Sequence, residues 1–166
     1  MSDFKVLLES LTNAGVNFII VGAFAAAAHG AEQVTQDLDI CYERTPENLK
    51  RLVAALIPYH PRLRGAPDDL PFLFDHRTLS QGMNFTLQTD LGDVDLLGHL
   101  SGVEHFQELA RDAISLSLYG FQVRVASLDA VIRSKRAAAR PKDIVALQEL
   151  EALREIQHAK EKKDKD

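Results

Sequence analysis

Two pairs of aspartates are the residues of this sequence best suited to chemistry. Asp37 and Asp39 are separated by one apolar residue, and so are Asp93 and Asp95. Each pair falls in a short apolar run that predicts a β-strand, where residues two apart point to the same face. Two carboxylates held side by side repel each other unless a proton or a cation joins them. A divalent metal ion at Asp37 and Asp39 is therefore the first hypothesis.

The segment before Asp37 predicts a rigid frame for the first pair. Residues 16–21 form a nearly continuous apolar run with β-branched residues, which favours a central strand buried on both faces. Gly22 then permits a tight turn, and the small side chains of residues 23–29 predict a short helix that packs close to its neighbours. A second strand over residues 37–41 carries the two carboxylates.

The rest of the chain predicts a mixture of helices and strands. Apolar spacing predicts helices that start near residues 4, 46, 102, 128 and 141, and strands over residues 84–89, 93–97, 114–118 and 121–125. Thr45 and Ser127 are expected to cap two of these helices. Residues 58–82 hold four of the six prolines, which predicts a long ordered loop or insertion that could cover the carboxylates.

Composition narrows the class of protein. A chain of 166 residues with 46% hydrophobic side chains suits one compact domain, predicted over residues 1–157, before a charged and disordered tail at 158–166. A net charge of −5 does not favour a protein that coats itself with nucleic acid. The apolar runs are shorter than the roughly 20 residues that span a bilayer, which predicts a soluble cytoplasmic protein with no membrane partner. The single cysteine, Cys41, is expected to be a packed residue.

A resemblance to a known family is carried by four segments, VGAFAAAAHG, VTQDLDI, NFTLQTDLGDVDLLG and SLDAVIRSKRAAARPKDIVALQEL. These segments resemble the nucleotidyltransferase superfamily typified by DNA polymerase beta. They look most like small bacterial nucleotidyltransferases related to the abortive-infection toxin family, and the likeness extends from about residue 16 to residue 153. The resemblance implies an α+β fold (two-layer α/β), with a mixed sheet whose helices pack mainly on one face.

The resemblance also implies an activity and a set of carboxylates. The activity is transfer of a nucleoside monophosphate from an NTP to a hydroxyl or phosphate acceptor, with release of pyrophosphate. Asp37, Asp39 and Asp95 would be the catalytic residues and the ligands of Mg²⁺ or Mn²⁺, and Asp95 could also take the acceptor's proton. Asp93 competes for the role of third carboxylate because it shares the strand face of Asp95. The family's pattern of glycine, any residue, an apolar residue, aspartate and leucine matches Asp95.

Nucleotide binding is implied at two further places. Gly22 and Ala23 begin the helix whose backbone N–H groups would receive phosphate oxygens. Lys135 and Lys142 belong to the family's C-terminal motif, together with Arg140 and Asp143, and basic side chains there suit a triphosphate.

Two departures from the family pattern open an alternative. Ala23 stands where the family usually has a second glycine, and Gln33 stands where an arginine is frequent. The lost guanidinium would have been a bidentate partner for phosphate or carboxylate. The alternative is therefore a weak or inactive relative that keeps nucleotide binding or partner binding.

The acceptor and the macromolecular partners are open at this stage. RNA (tRNA among them), a protein or a small molecule would each supply a hydroxyl. The toxin resemblance further implies a cognate antitoxin.

Overall fold

The strands of the protein form a single mixed sheet in the computed structural model, which describes residues 3–32 and 35–166. The strands are β1 (Phe18–Val21), β2 (Asp37–Tyr42), β3 (Arg62–Leu63), β4 (Asn84–Thr89), β5 (Gly92–Leu97), β6 (Ile114–Leu118) and β7 (Phe121–Val125). In the described part of the chain these seven strands lie in the order β3-β4-β5-β2-β1-β7-β6. The central strand β1 pairs antiparallel with β2 and parallel with β7, and β2 pairs parallel with β5.

Helices connect and cover these strands. They are α1 (Phe4–Asn13), α2 (Gly22–Ala28), α3 (Pro46–Leu56), α4 (His76–Gln81), α5 (Phe106–Arg111), α6 (Leu128–Ala138) and α7 (Pro141–Lys165), with a 3-10 turn over Ile57–Tyr59. The predicted caps are present, because the Thr45 and Ser127 side chains accept hydrogen bonds from backbone N–H groups in the first turns of α3 and α6. The mixed sheet with its helices confirms the predicted α+β class.

The burial pattern explains why one face of β2 carries the carboxylates. All four residues of β1 are buried, as expected for a central strand covered on both faces. In β2, Leu38 and Ile40 are fully buried, whereas Asp37 and Asp39 point to the opposite face. Burying a leucine or isoleucine side chain stabilises a fold by about 1.5–3 kcal/mol, so these apolar residues hold the strand in its register.

Cys41 is packed, as the sequence predicts. It is buried in the main core, and burial raises the pKa of its thiol to about 11. The thiol is therefore protonated at neutral pH and serves as a small apolar side chain.

The segment over residues 58–82 has more secondary structure than the sequence predicts. It contains β3, which pairs antiparallel with β4, and α4. Phe74 and Leu79 are buried and attach the segment to the core. A two-residue strand is too short to show alternation, so the proline-rich composition is the stronger signal in this part of the sequence.

Two helix boundaries also differ from the prediction. The helix expected from residue 102 begins at Phe106, because Gly102 has a φ of +78° and lies against the backbone of α6. Helix α7 continues to Lys165, through the residues predicted to form a disordered tail. Alanine, glutamate and lysine favour helix, and lysines in the last turn suit the helix dipole. The boundary of the domain at residue 157 stays a prediction.

None of the helices within the described ranges has both the length and the apolar character that crossing a membrane requires.

Candidate active site

The pairing of β2 with β5 places four aspartates on one face of the sheet. Asp37 lies opposite Asp93, and Asp39 lies opposite Asp95, on neighbouring parallel strands. Adjacent strands are about 4.8 Å apart, so the side chains of each pair are neighbours. The structure therefore brings together the three predicted catalytic carboxylates and the competing Asp93.

The turn at Gly22 lies directly against the Asp39 carboxylate. Gly22 has a φ of +67°, and a Cβ placed on it would be 2.1 Å from Asp39 Oδ2. Both the backbone conformation and the lack of space exclude a larger residue. Gly22, which is predicted to bind phosphate, thus also leaves the space that the Asp39 carboxylate occupies.

Asp39 lies in an environment that opposes a negative charge. Burial raises the pKa of its carboxyl, the Asp95 and Asp37 carboxylates raise it further, and together they take it to about 7 against a small opposing effect of Arg64. Its Oδ1 atom is buried without a hydrogen-bond partner among residues 3–32 and 35–166. An unpartnered carboxylate oxygen beside two other carboxylates fits a hard divalent cation, which prefers oxygen ligands.

Arg64, which follows β3, lies among the same carboxylates. Its Nη2 atom donates to Asp95 Oδ1 at 2.8 Å, and its Nη1 atom lies 3.7 Å from Asp37 Oδ2. Its Nε atom lies 3.2 Å from Asp93 Oδ2 as an ion pair without hydrogen-bond geometry. In the portions of the chain with assigned positions, no group of three acidic, histidine or cysteine side chains is already arranged around a metal position. No pattern in the sequence points specifically to this contact, beyond the expectation that residues 58–82 could cover the carboxylates.

A basic cleft opens beside Asp37 and Asp39. It has a volume of about 400 Å³. Its lining includes every residue predicted to bind nucleotide, namely Gly22, Ala23, Lys135 and Lys142. Arg140 also lines it, whereas Gln33 lies outside the described residues. The predicted phosphate-binding residues and the first carboxylate pair therefore share one cleft.

Asp143 holds the basic side chains at this cleft. It is fully buried at the start of α7, and its Oδ2 accepts hydrogen bonds from the backbone N and the Nε of Arg140 at 3.1 and 2.7 Å. Lys135 Nζ lies 3.7 Å from its Oδ1. Burial opposes ionisation of Asp143, but the hydrogen bonds from Arg140 outweigh it and lower the pKa of the carboxyl. The sequence placed Asp143 in the C-terminal motif without a role, and its contacts make it a positioning residue.

Comparison with known proteins supports the fold assignment. No protein-family model matches the sequence, and no curated protein matches it. Among solved structures, the antibiotic-resistance factor ANT(2″)-Ia superimposes with a TM-score of 0.55 at 15% identity, covering 99% of this chain and 97% of that one. The complex of ANT(2″)-Ia with adenylyl-2″-tobramycin also gives 0.55 at 15% identity, with 95% of each chain covered.

A protein from Thermotoga maritima, TM1012, described as a nucleotidyltransferase, is a further structural neighbour. It superimposes with a TM-score of 0.52 at 16% identity, covering 93% of this chain and 89% of that one. At such low sequence identity, structural similarity is evidence for a shared fold alone. The chain therefore has the nucleotidyltransferase fold that its sequence motifs resemble, while the relation to toxins stays a prediction.

Proposed function

We propose that this protein is a nucleotidyltransferase that depends on a divalent cation. It would transfer a nucleoside monophosphate from an NTP to a hydroxyl or phosphate acceptor and release pyrophosphate. The observation that carries this proposal is the position of Asp39. Its partly buried carboxylate lies between the Gly22 turn and Asp95, at the border of a basic cleft, in a fold shared with proteins described as nucleotidyltransferases.

In this proposal Asp37, Asp39 and Asp95 hold Mg²⁺ or Mn²⁺. Their oxygen ligands suit these ions, and Asp39 contributes the oxygen that otherwise has no partner in the described part of the chain. The bound cation would neutralise triphosphate charge and stabilise the attacking and leaving oxygens.

The protein's own side chains would perform the remaining tasks. Lys135 and Lys142 line the cleft and would bind phosphate oxygens, and Asp143 would keep Lys135 in position. Asp95 would accept the proton of the acceptor hydroxyl. The hydroxyl oxygen then forms a bond to the α-phosphorus while the bond to the pyrophosphate oxygen breaks, and pyrophosphate leaves with the electron pair.

The acceptor in this proposal is a molecule with a free hydroxyl. ANT(2″)-Ia is described in complex with adenylyl-2″-tobramycin, which motivates a small polar acceptor as the first class to test. RNA, including tRNA, and proteins also carry hydroxyl groups, so both stay candidate acceptors in this proposal. A cytoplasmic location, and a cognate antitoxin that binds this protein as a toxin, likewise belong to the proposal and follow from the sequence resemblance.

A second candidate function is a nucleotide-binding module without transfer activity. Two observations favour it: Ala23 adds a Cβ at the cleft, and Arg64 already pairs with Asp95. Such a module would bind NTP but release no pyrophosphate.

The test is transfer of label from α-labelled NTPs in the presence of Mg²⁺ or Mn²⁺, with cell extract and small-molecule pools as acceptors. We expect Asp37→Asn to reduce labelling by at least about 100-fold, since removing even an outer partner of a metal ligand typically costs 10–100-fold. Asp112→Asn, at an exposed carboxylate that follows α5, is the matched control and should retain activity. Equal labelling by the wild type and Asp37→Asn would exclude the proposed catalysis, and NTP binding without pyrophosphate release would favour the module.

A further inference from the structure

A cationic side chain of the protein itself already lies among the four aspartates. Arg64 forms ion pairs with Asp95, Asp93 and Asp37 at 2.8, 3.2 and 3.7 Å. These are three of the four carboxylates that face each other across β2 and β5. A guanidinium group cannot be deprotonated in proteins, so this positive charge is permanent.

The sheet fixes the position of Arg64. Its backbone N donates to Thr86 O at 2.9 Å, which continues the pairing between β3 and β4. Its Nη2 atom donates to Leu87 O at 2.9 Å in addition to Asp95. The side chain is 29% exposed. The guanidinium is therefore placed by the strand edge and a backbone carbonyl, and it does not depend on the carboxylates alone for its position.

We propose that Arg64 competes with divalent cations for the carboxylates that it pairs with, which include the proposed ligands Asp37 and Asp95. The inference rests on the proposed function, because it concerns the same cation. An ion at these carboxylates would lie within a few ångströms of the guanidinium, and like charges at that distance repel strongly in a partly buried site. Arg64 thus weakens cation binding and sets the cation concentration at which the site fills. Asp37, whose ion pair with Arg64 is the longest of the three, is then the first of these carboxylates to become available.

The chain offers a matched control in the neighbouring Arg62. It lies in β3, two residues before Arg64, but its Nη1 atom pairs with Asp90 at 3.5 Å, and its side chain is 49% exposed. Arg62→Gln removes the same charge as Arg64→Gln without touching the aspartates on β2 and β5. Arg64→Lys keeps the charge and changes the shape.

The experiment is Mn²⁺ binding by isothermal titration calorimetry in the absence of nucleotide. We expect Arg64→Gln to bind Mn²⁺ roughly tenfold or more tightly than the wild type, because the like-charge repulsion is removed. Arg64→Lys should bind with an affinity close to that of the wild type, and Arg62→Gln should be unchanged. If Arg64→Gln is too unstable for calorimetry, Mn²⁺ binding is measured by the rise in melting temperature. The Mn²⁺ concentration that gives half of the maximal rise should then be lower for Arg64→Gln than for the wild type.

Each outcome decides between the proposals. Equal Mn²⁺ affinity for wild type and Arg64→Gln overturns the competition, and so does an Arg64→Lys variant that binds as tightly as Arg64→Gln. Tighter binding by Arg64→Gln, together with no transfer by the Mn²⁺-saturated wild type, supports the competition and overturns the proposed activity. Absence of Mn²⁺ binding in every variant overturns both.

Discussion

Replacing Asp39 by asparagine is expected to stabilise the cation-free protein at neutral and alkaline pH. The pKa of Asp39 is raised from 3.8 to about 7, so the folded protein holds a proton that the unfolded chain has already lost between these values. The stability that this proton provides is complete below about pH 3.8 and is lost as the pH rises through about 7. Asparagine is neutral at every pH, so the Asp39→Asn variant does not lose this stability as the pH rises.

The magnitude follows from the size of the shift. The shift is about 3 pKa units, and each unit corresponds to 1.36 kcal/mol, which gives an upper limit of roughly 4 kcal/mol above pH 7. For a chain of this size 1 kcal/mol moves the melting temperature by about 2–4 °C. The melting temperature of Asp39→Asn should therefore exceed that of the wild type by up to roughly 16 °C at pH 8.

Urea denaturation in EDTA at pH 5, 6, 7 and 8 measures this effect. The difference in the free energy of unfolding between Asp39→Asn and the wild type should grow across this range, and saturating Mg²⁺ should shrink it because the cation stabilises the wild-type carboxylate. Asp112→Asn is the control for removal of an exposed carboxylate. The reasoning is refuted if wild type and Asp39→Asn keep a constant difference from pH 5 to pH 8 in EDTA.

Three further substitutions test the surroundings of the site. Gly22→Ala should lower the free energy of unfolding, measured by urea denaturation, by at least about 1–3 kcal/mol, because φ is +67° and the new Cβ would meet Asp39. Gly120→Ala is the control for the backbone strain alone, because Gly120 has a φ of +89° and open space around it. An equal loss of stability in both variants would contradict the predicted clash with Asp39. Asp143→Asn should destabilise by about 1–3 kcal/mol and raise KM for NTP, since the basic side chains lose their buried partner. An unchanged KM would remove its positioning role. Lys142→Ala should weaken NTP binding several-fold in calorimetry with little change in stability, and unaltered binding would place the triphosphate elsewhere.

The carboxylate face could be predicted because its signals are local. Alternation of apolar and acidic residues fixes which side of β2 carries Asp37 and Asp39, and the same rule applies to β5. The hairpin between the predicted strands β6 and β7 is also a local feature, since Tyr119 and Gly120 both have positive φ as a two-residue hairpin turn requires. These features depend on neighbouring residues in the chain.

The features that the sequence did not show depend on distant pairing. Alternation indicates that β2 and β5 each carry two aspartates, but not that Asp39 lies opposite Asp95. Arg64 reaches the carboxylates through the pairing of the two-residue strand β3 with β4, which leaves no periodic pattern in the sequence. The extension of α7 to Lys165 has a different cause, because the helix propensity of its last residues outweighs the effect of their charge density.

The parallel alignment of β2 and β5 makes the length of the β4–β5 hairpin a condition for bringing the four aspartates together. Strand β5 is held between β4 and β2, and β4 connects to it through Asp90 and Leu91 alone. Deleting one of these two residues would shift β5 by one position and turn Asp93 and Asp95 toward the apolar layer, with Val94 in their place. This connection should therefore tolerate substitutions better than the loss of one residue, since a shift of one position reverses the two faces of β5 whereas an exchange of side chains does not.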